Sequence, residues 1–186
     1  MPGAVLPREP RTPREIFEHY LRDLVYGAND GLITTFAIVA GVAGADLSTR
    51  VVLILGFANL LADGFSMGAS NYLSIRSEQE LLAATDTGAR EPHAFRHGVA
   101  TFAAFVVIGL VPLIAYLLPI PPERRFRTAA LLTLLALFGV GASRALVTRL
   151  RWWSAGLEML LVGGAAATVA YLVGRFLAGI TGGPVV

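Results

Sequence analysis

The stretch 51–75, VVLILGFANLLADGFSMGASNYLSI, carries a single charge, Asp63, and carries it at its midpoint. At about 1.5 Å per residue the segment is long enough to cross a hydrocarbon core of roughly 30 Å, which places the carboxylate near the bilayer centre. Burying it there costs on the order of 3 kcal/mol or more, so a cation, a proton or polar neighbours must offset the cost. At about 100° per residue, Gly56, Asn59, Asp63, Ser66, Met67, Ser70 and Ser74 fall on one stripe, while Leu60, Leu61, Phe65, Leu73 and Ile75 lie largely outside it. One wall of this helix is built to face something polar.

Outside that segment the chain is equally apolar. Of its 186 residues 55% are hydrophobic and 15% charged, more apolar surface than one soluble core of this size can bury. Charge-free runs predict five spans, near 25–45, 51–75, 98–118, 128–147 and 154–174, which lack the alternation of membrane β-strands. The fold class is therefore all-α: a polytopic membrane protein of five transmembrane helices preceded by an N-terminal interfacial amphipathic helix. Pro112 and Pro119 fit a kink and a terminus of the third span. The expected organisation is a tail and interfacial helix over 1–24, then a transport domain over 25–186.

The interfacial helix is read from Ile16, Phe17, Tyr20, Leu21, Leu24 and Val25 on one face, opposite Glu15, Glu18, His19, Arg22 and Asp23. Pro13 suits its first position. Residues 1–12 lack the apolar run of a signal peptide. All 15 basic residues are arginine. With the N-terminus in the cytoplasm, ten of them fall inside and five outside, which favours an inside N-terminus and an outside C-terminus in a cell membrane. The connector PIPPERRFR holds three of the external five, against the trend. These arginines flank spans and anchor to headgroups, so nucleic acid is excluded as a partner despite a pI near 9.4. The chain has no cysteine, which removes thiolate metal sites and disulfides from consideration.

Only 15 uncharged residues separate Asp30 from Asp46, roughly 22 Å of helix, too short to cross the core. The first span must run back through Asp30, giving a second acid at membrane depth, towards the cytoplasmic end. Ala37, Gly41, Gly44 and Ala45, and in the fifth span Gly156, Gly163, Gly164, Ala167 and Gly174, have the small-residue spacing that lets another helix, a symmetry mate included, approach closely.

Asp63, Asn59 and Met67 together offer a carboxylate, an amide oxygen and a thioether, a set that suits Fe²⁺ better than Mg²⁺ or Ca²⁺. The competing reading is a protonated Asp63 bonding two helices, with Met67 as packing. Asp30 has its own alternative as an interface carboxylate paired with Arg22, and Glu158 as one paired with Arg151. His93 and His97 stand one helical turn apart in the connector 76–97 and read as a solvated loop, although the spacing also suits a metal. No GxSxG, P-loop or HExxH is present, so the chain reads as a non-enzyme with no permanently bound cofactor, and any transport must draw on a gradient.

The segments YGANDGLITTFAIVAGVAGA (26–45) and LGFANLLADGFSMGASNYLSIRSE (55–78) resemble the vacuolar iron transporter family. The likeness combines the DGL of span one, the SMG of span two and the NYLSxRSE exit. It implies a homodimer whose first two spans line a path on the two-fold axis, exchanging Fe²⁺ or a similar divalent ion such as Mn²⁺ for protons. The pore acid of span one and the methionine of span two carry over to Asp30 and Met67. Where the eukaryotic branch reads AExxAGAISMG, this chain reads ANLLADGFSMG, so the pore glutamate becomes Asn59 and an acid appears one turn later at Asp63. The vacuolar members also carry a long glutamate-rich domain between spans two and three, for which the connector here has no room. Expected metal-site residues are thus Asp30, Asn59, Asp63 and Met67, doubled by symmetry. The resemblance implies export of Fe²⁺ from the cytoplasm; a Mn²⁺-specific transporter of the same architecture and a non-transporting scaffold dimer are the alternatives.

Overall fold

The computed structural model describes residues 12–84, 93–146 and 151–181, and among these every regular element is helical. Helix α1 (Pro13–Gly44) begins at a capping box: the Thr12 hydroxyl accepts from the Glu15 amide at 3.2 Å, and the Thr12 amide donates to the Glu15 carboxylate at 3.3 Å. The helix passes residue 24 without a break, so the amphipathic N-terminal segment and the first span form one rod.

A short turn follows, in which Asp46 takes a left-handed φ of 55° and the Leu47 amide bonds back to the Val42 carbonyl at 3.1 Å. Aspartate is one of the few non-glycine residues that tolerate this conformation, and the turn returns the chain antiparallel into α2 (Thr49–Ala84). Arg125 secures this end by donating to the Thr49 hydroxyl and to the Ile120 carbonyl, both at 2.9 Å. One of the three arginines of the PIPPERRFR connector is therefore engaged within the protein.

The third span is broken. Helices α3 (Ala94–Gly109) and α4 (Val111–Leu117) meet at Leu110 with a 40° bend, because Pro112 has no amide hydrogen to continue the ladder. Helix α4 ends just before Pro119, as the sequence predicts. Helix α5 (Pro122–Ser143) runs into a short 3₁₀ turn, and α6 (Trp152–Thr181) completes the bundle. Four of these helices are long and apolar enough to cross a membrane, five if the bent pair counts as one span, and the protein is an integral membrane protein.

Helix α1 is the central element: half of its apolar window is buried, against 28% for α2 and 22% for α5 and α6. It packs chiefly on α3 and α6, while α2 packs chiefly on α3. Leu32, Phe36 and Val39 of α1, Leu60 of α2, Phe105 of α3, Leu113 of α4 and Leu137 of α5 fill the interior. Glycine sets the helix spacing where backbones touch. A methyl group on Gly31 would collide with the Phe105 carbonyl, and one on Gly68 would sit 2.7 Å from the Gly98 carbonyl oxygen. The small-residue faces of α1 and α6 meet one another within the chain, Gly41 against Gly174 and Gly44 against Tyr171. That surface is therefore filled by α6 rather than held open for a symmetry mate.

Candidate functional site

The antiparallel register of α1 and α2 decides which side chains meet. Asp30 lies 14 residues before the end of α1 and Asp63 lies 14 residues after the start of α2, so both sit at the same height, roughly 21 Å from the connecting turn. This corrects the expectation that Asp30 lies nearer the cytoplasmic end: α1 extends so far towards the N-terminus that Asp30 falls at mid-span. Among the described residues no cation is paired with either carboxylate, and the proposed Arg22 partnership of Asp30 is not made.

Met67 is half-buried against the main apolar cluster, and the same register sets it opposite Tyr26. Both line a groove of about 440 Å³ whose other walls are Arg22, Asp23, Ser66, Ser70, Asn71 and Ser74. Four members of the sequence stripe, Ser66, Met67, Ser70 and Ser74, thus share one concavity. Asn59 lies on the far side of Asp63, with its amide nitrogen buried and unpartnered among the described residues. Within one chain the acids number two. No group of three or more acidic or histidine side chains is placed to hold a metal among the described residues.

A second polar constellation escaped the sequence reading. His97, read there as part of a solvated loop, belongs to α3 and is 8% exposed; Asp23, assigned to the wet face of an interfacial helix, is 5% exposed. His97 Nδ1 and an Asp23 carboxylate oxygen are 2.5 Å apart. The other Asp23 oxygen accepts from Asn71 Nδ2 at 2.8 Å, and that nitrogen also donates to the Thr101 hydroxyl at 2.8 Å. Thr101 in turn donates to the His97 carbonyl at 3.1 Å. Gly27 permits the cluster, since any side chain there would strike the Thr101 carbonyl and push α3 off α1. One signal pointed to Asp23: it stands seven residues before Asp30, on the same helix face.

Asn71 and Asp23 are also walls of a second groove of about 340 Å³, open towards His19, Glu78, Gln79 and Leu82. The two grooves share Arg22, Asp23 and Asn71 on their walls. Met67, on the wall of the first, lies one helical turn from Asp63 on α2. Two other sequence candidates lie apart. Glu158 pairs with Arg144 at 3.3 Å rather than with Arg151, and His93 occupies the position just before α3. Residues 85–92 of the connector lie outside the described residues.

Comparison with known proteins identifies the family. The family model described as the VIT family matches residues 21–93 and 85–175, two segments that meet at the connector between α2 and α3. The vacuolar iron transporter of Toxoplasma gondii is 27% identical, the match covering 88% of this chain and 76% of that protein. Vacuolar iron transporter 1 of Eucalyptus grandis is 28% identical over 81% of this chain and 84% of its own length. A shorter match to the vacuolar iron transporter of Plasmodium falciparum reaches 41% identity over 34% of this chain and 23% of that protein. The matched segments take in both the α1–α2 polar seam and the α3–α6 scaffold around it, and the chain belongs to the VIT family.

Proposed function

We propose that two copies of this chain form a transporter that moves Fe²⁺, or Mn²⁺, out of the cytoplasm in exchange for protons. The observation that carries this reading is the level pair Asp30 and Asp63 at mid-span, with no cation paired to either carboxylate among the described residues. Two such groups at membrane depth demand mobile positive charge, and a divalent ion alternating with protons supplies it. The relatives named as vacuolar iron transporters support a metal ion as the substrate.

One chain supplies too few donors for a divalent ion. A two-fold axis beside α2 doubles Asp30, Asn59, Asp63 and Met67 into a site of four carboxylates, two amides and two thioethers. Asn59, Asp63 and Met67 are only partly buried in the single chain, so a symmetry copy can cover them. The polar groove ending at Met67 serves as the approach from the cytoplasm. That direction follows from the excess of arginine in the N-terminal tail and the connectors on the same side, which supports an inside N-terminus. Metal entering the site displaces protons held there, and that displacement couples the two fluxes.

The test is metal uptake by proteoliposomes under reductant, at imposed pH differences and with an internal pH dye. Uphill metal movement driven by a proton gradient, with proton counterflow, is the expected result. Absence of any flux would leave a membrane scaffold as the better description. Metal flux indifferent to the gradient would reduce the protein to a passive channel.

A further inference from the structure

Another groove, of about 380 Å³, lies between α1 and α6, and none of its walls comes from α2. The transport scheme makes no use of it. Leu21 and Val25 of α1 and Met159 and Val162 of α6 make much of its wall apolar, while Arg22, Arg144 and Glu158 bring charge to it. Arg22 is exposed and makes no ion pair among the described residues. Arg144 bonds Glu158 at 3.3 Å, but the carboxylate side chain is 62% exposed, and a pair so open to water is held weakly. Two guanidiniums against one carboxylate leave the groove net positive.

The height of these arginines follows from the packing of α1 on α6. The two helices, the first and fifth spans, run the same way, and Gly41 and Gly44 of α1 meet α6 between Ala170 and Arg175. Arg22 stands about 20 residues before those glycines and Trp152 about 20 before their partners, so both lie at about the same level. Trp152 and Trp153 are exposed there, and Trp152 packs edge-on against Phe138 with ring centres 5.9 Å apart. Tryptophan collects at the headgroup boundary of a membrane, so the arginines sit at headgroup level with an apolar cleft leading away from them.

From this geometry we infer that the groove binds an anionic phospholipid, its phosphate held by Arg22 and Arg144 and one acyl chain laid between α1 and α6. The fork of N–H donors on guanidinium matches two phosphate oxygens, and basic pockets between spans are suited to anionic headgroups. Tyr26, one turn along α1 from Arg22, adds a phenolic donor to the same groove. Free phosphate would satisfy the arginines and leave the apolar walls uncovered. A second copy of the chain would meet its partner along α2, which has no residue here. A lipid supplies the anion and the apolar chain in one molecule, and the inference holds whichever ion is transported.

The two tryptophans of the chain both stand at the start of α6, so their fluorescence reports the occupant. The full-length protein in neutral detergent is titrated with brominated-chain phosphatidylglycerol, and separately with phosphatidylcholine of the same chains. The anionic lipid should quench at about fivefold lower concentration, the worth of one arginine near an anionic headgroup. It should also raise the melting temperature more than phosphatidylcholine does. Arg22→Gln and Arg144→Gln should each remove most of that preference. Glu158→Gln, which takes away the opposing charge, should widen it. Arg50→Gln, an exposed arginine at the other end of the bundle, should leave it unchanged. If Arg144→Gln fails to fold, Arg22→Gln and Glu158→Gln decide. Equal quenching by both lipids would leave an ordinary apolar contact, equal loss in Arg22→Gln and Arg50→Gln would leave diffuse surface charge, and displacement by inorganic phosphate would leave a bare anion site. Quenching confined to the monomer fraction would give the groove to a second copy. Each of these results overturns the lipid site, and none of them bears on metal flux.

Discussion

Breaking the Asp23–His97 pair from one side should be far more damaging than replacing it whole. In His97→Ala the Asp23 carboxylate stays 5% exposed and loses its 2.5 Å partner, keeping only Asn71 at 2.8 Å. Removing one member of a buried pair costs about 3–5 kcal/mol, and the surviving Asn71 bond points to the low end, about 3 kcal/mol. At roughly 2–4 °C per kcal/mol for a chain of this size, the melting temperature in detergent should fall by about 6–12 °C. In the double variant Asp23→Leu/His97→Leu no buried charge remains, and Asn71 still has the Thr101 hydroxyl at 2.8 Å. That variant should melt closer to wild type than His97→Ala does. Thermal unfolding of the purified protein, followed by circular dichroism, measures all three. The reasoning fails if His97→Ala costs less than about 1 kcal/mol, the worth of an exposed pair, or if the double variant costs the sum of its parts.

Asp63→Asn, which removes the charge and keeps the shape, should lower metal flux at least about tenfold, since a charge–ion contact there should exceed about 1.4 kcal/mol. Because Asp30 stands level with Asp63, Asp30→Asn should produce a similar loss from either side of the membrane; a defect confined to cytoplasmic entry would contradict the register described here. Met67→Leu preserves packing volume and removes the thioether, so Fe²⁺ flux should drop more than Mn²⁺ flux, and an equal drop would return Met67 to packing alone. At the α2–α3 seam, Gly98→Ala drives a methyl to 2.6 Å from the Gly68 carbonyl oxygen and should cost about 1–3 kcal/mol. Gly139→Ala, whose Cβ would meet nothing within 4 Å, should be neutral or stabilising by up to about 1 kcal/mol, and melting temperatures compare the two.

Much of this protein is legible along the chain because the bilayer acts as a uniform solvent. Every span must satisfy its own backbone and present apolar side chains, so hydropathy and charge spacing mark the helices one at a time. The charge-free run around Asp63, the kink at Pro112 and the necessary depth of Asp30 all follow from such local counting. The serine stripe of α2 is of the same kind, since 3.6-residue periodicity alone puts Ser66, Met67, Ser70 and Ser74 on one face. What a helix touches is a different matter. Asp23 and His97 are 74 positions apart, and Asn71 reaches Asp23 across 48. Read locally, Asp23 is one more charge on an amphipathic segment and His97 one more polar residue in a connector. Only the close approach of α3 to α1 over Gly27 and Gly31, and to α2 over Gly68, buries them together. The level placement of Asp30 and Asp63 likewise waited on the length of the turn between α1 and α2. Position along a helix is set by nearest neighbours in sequence, whereas facing side chains are set by where backbones can touch, and that is a property of the packed bundle.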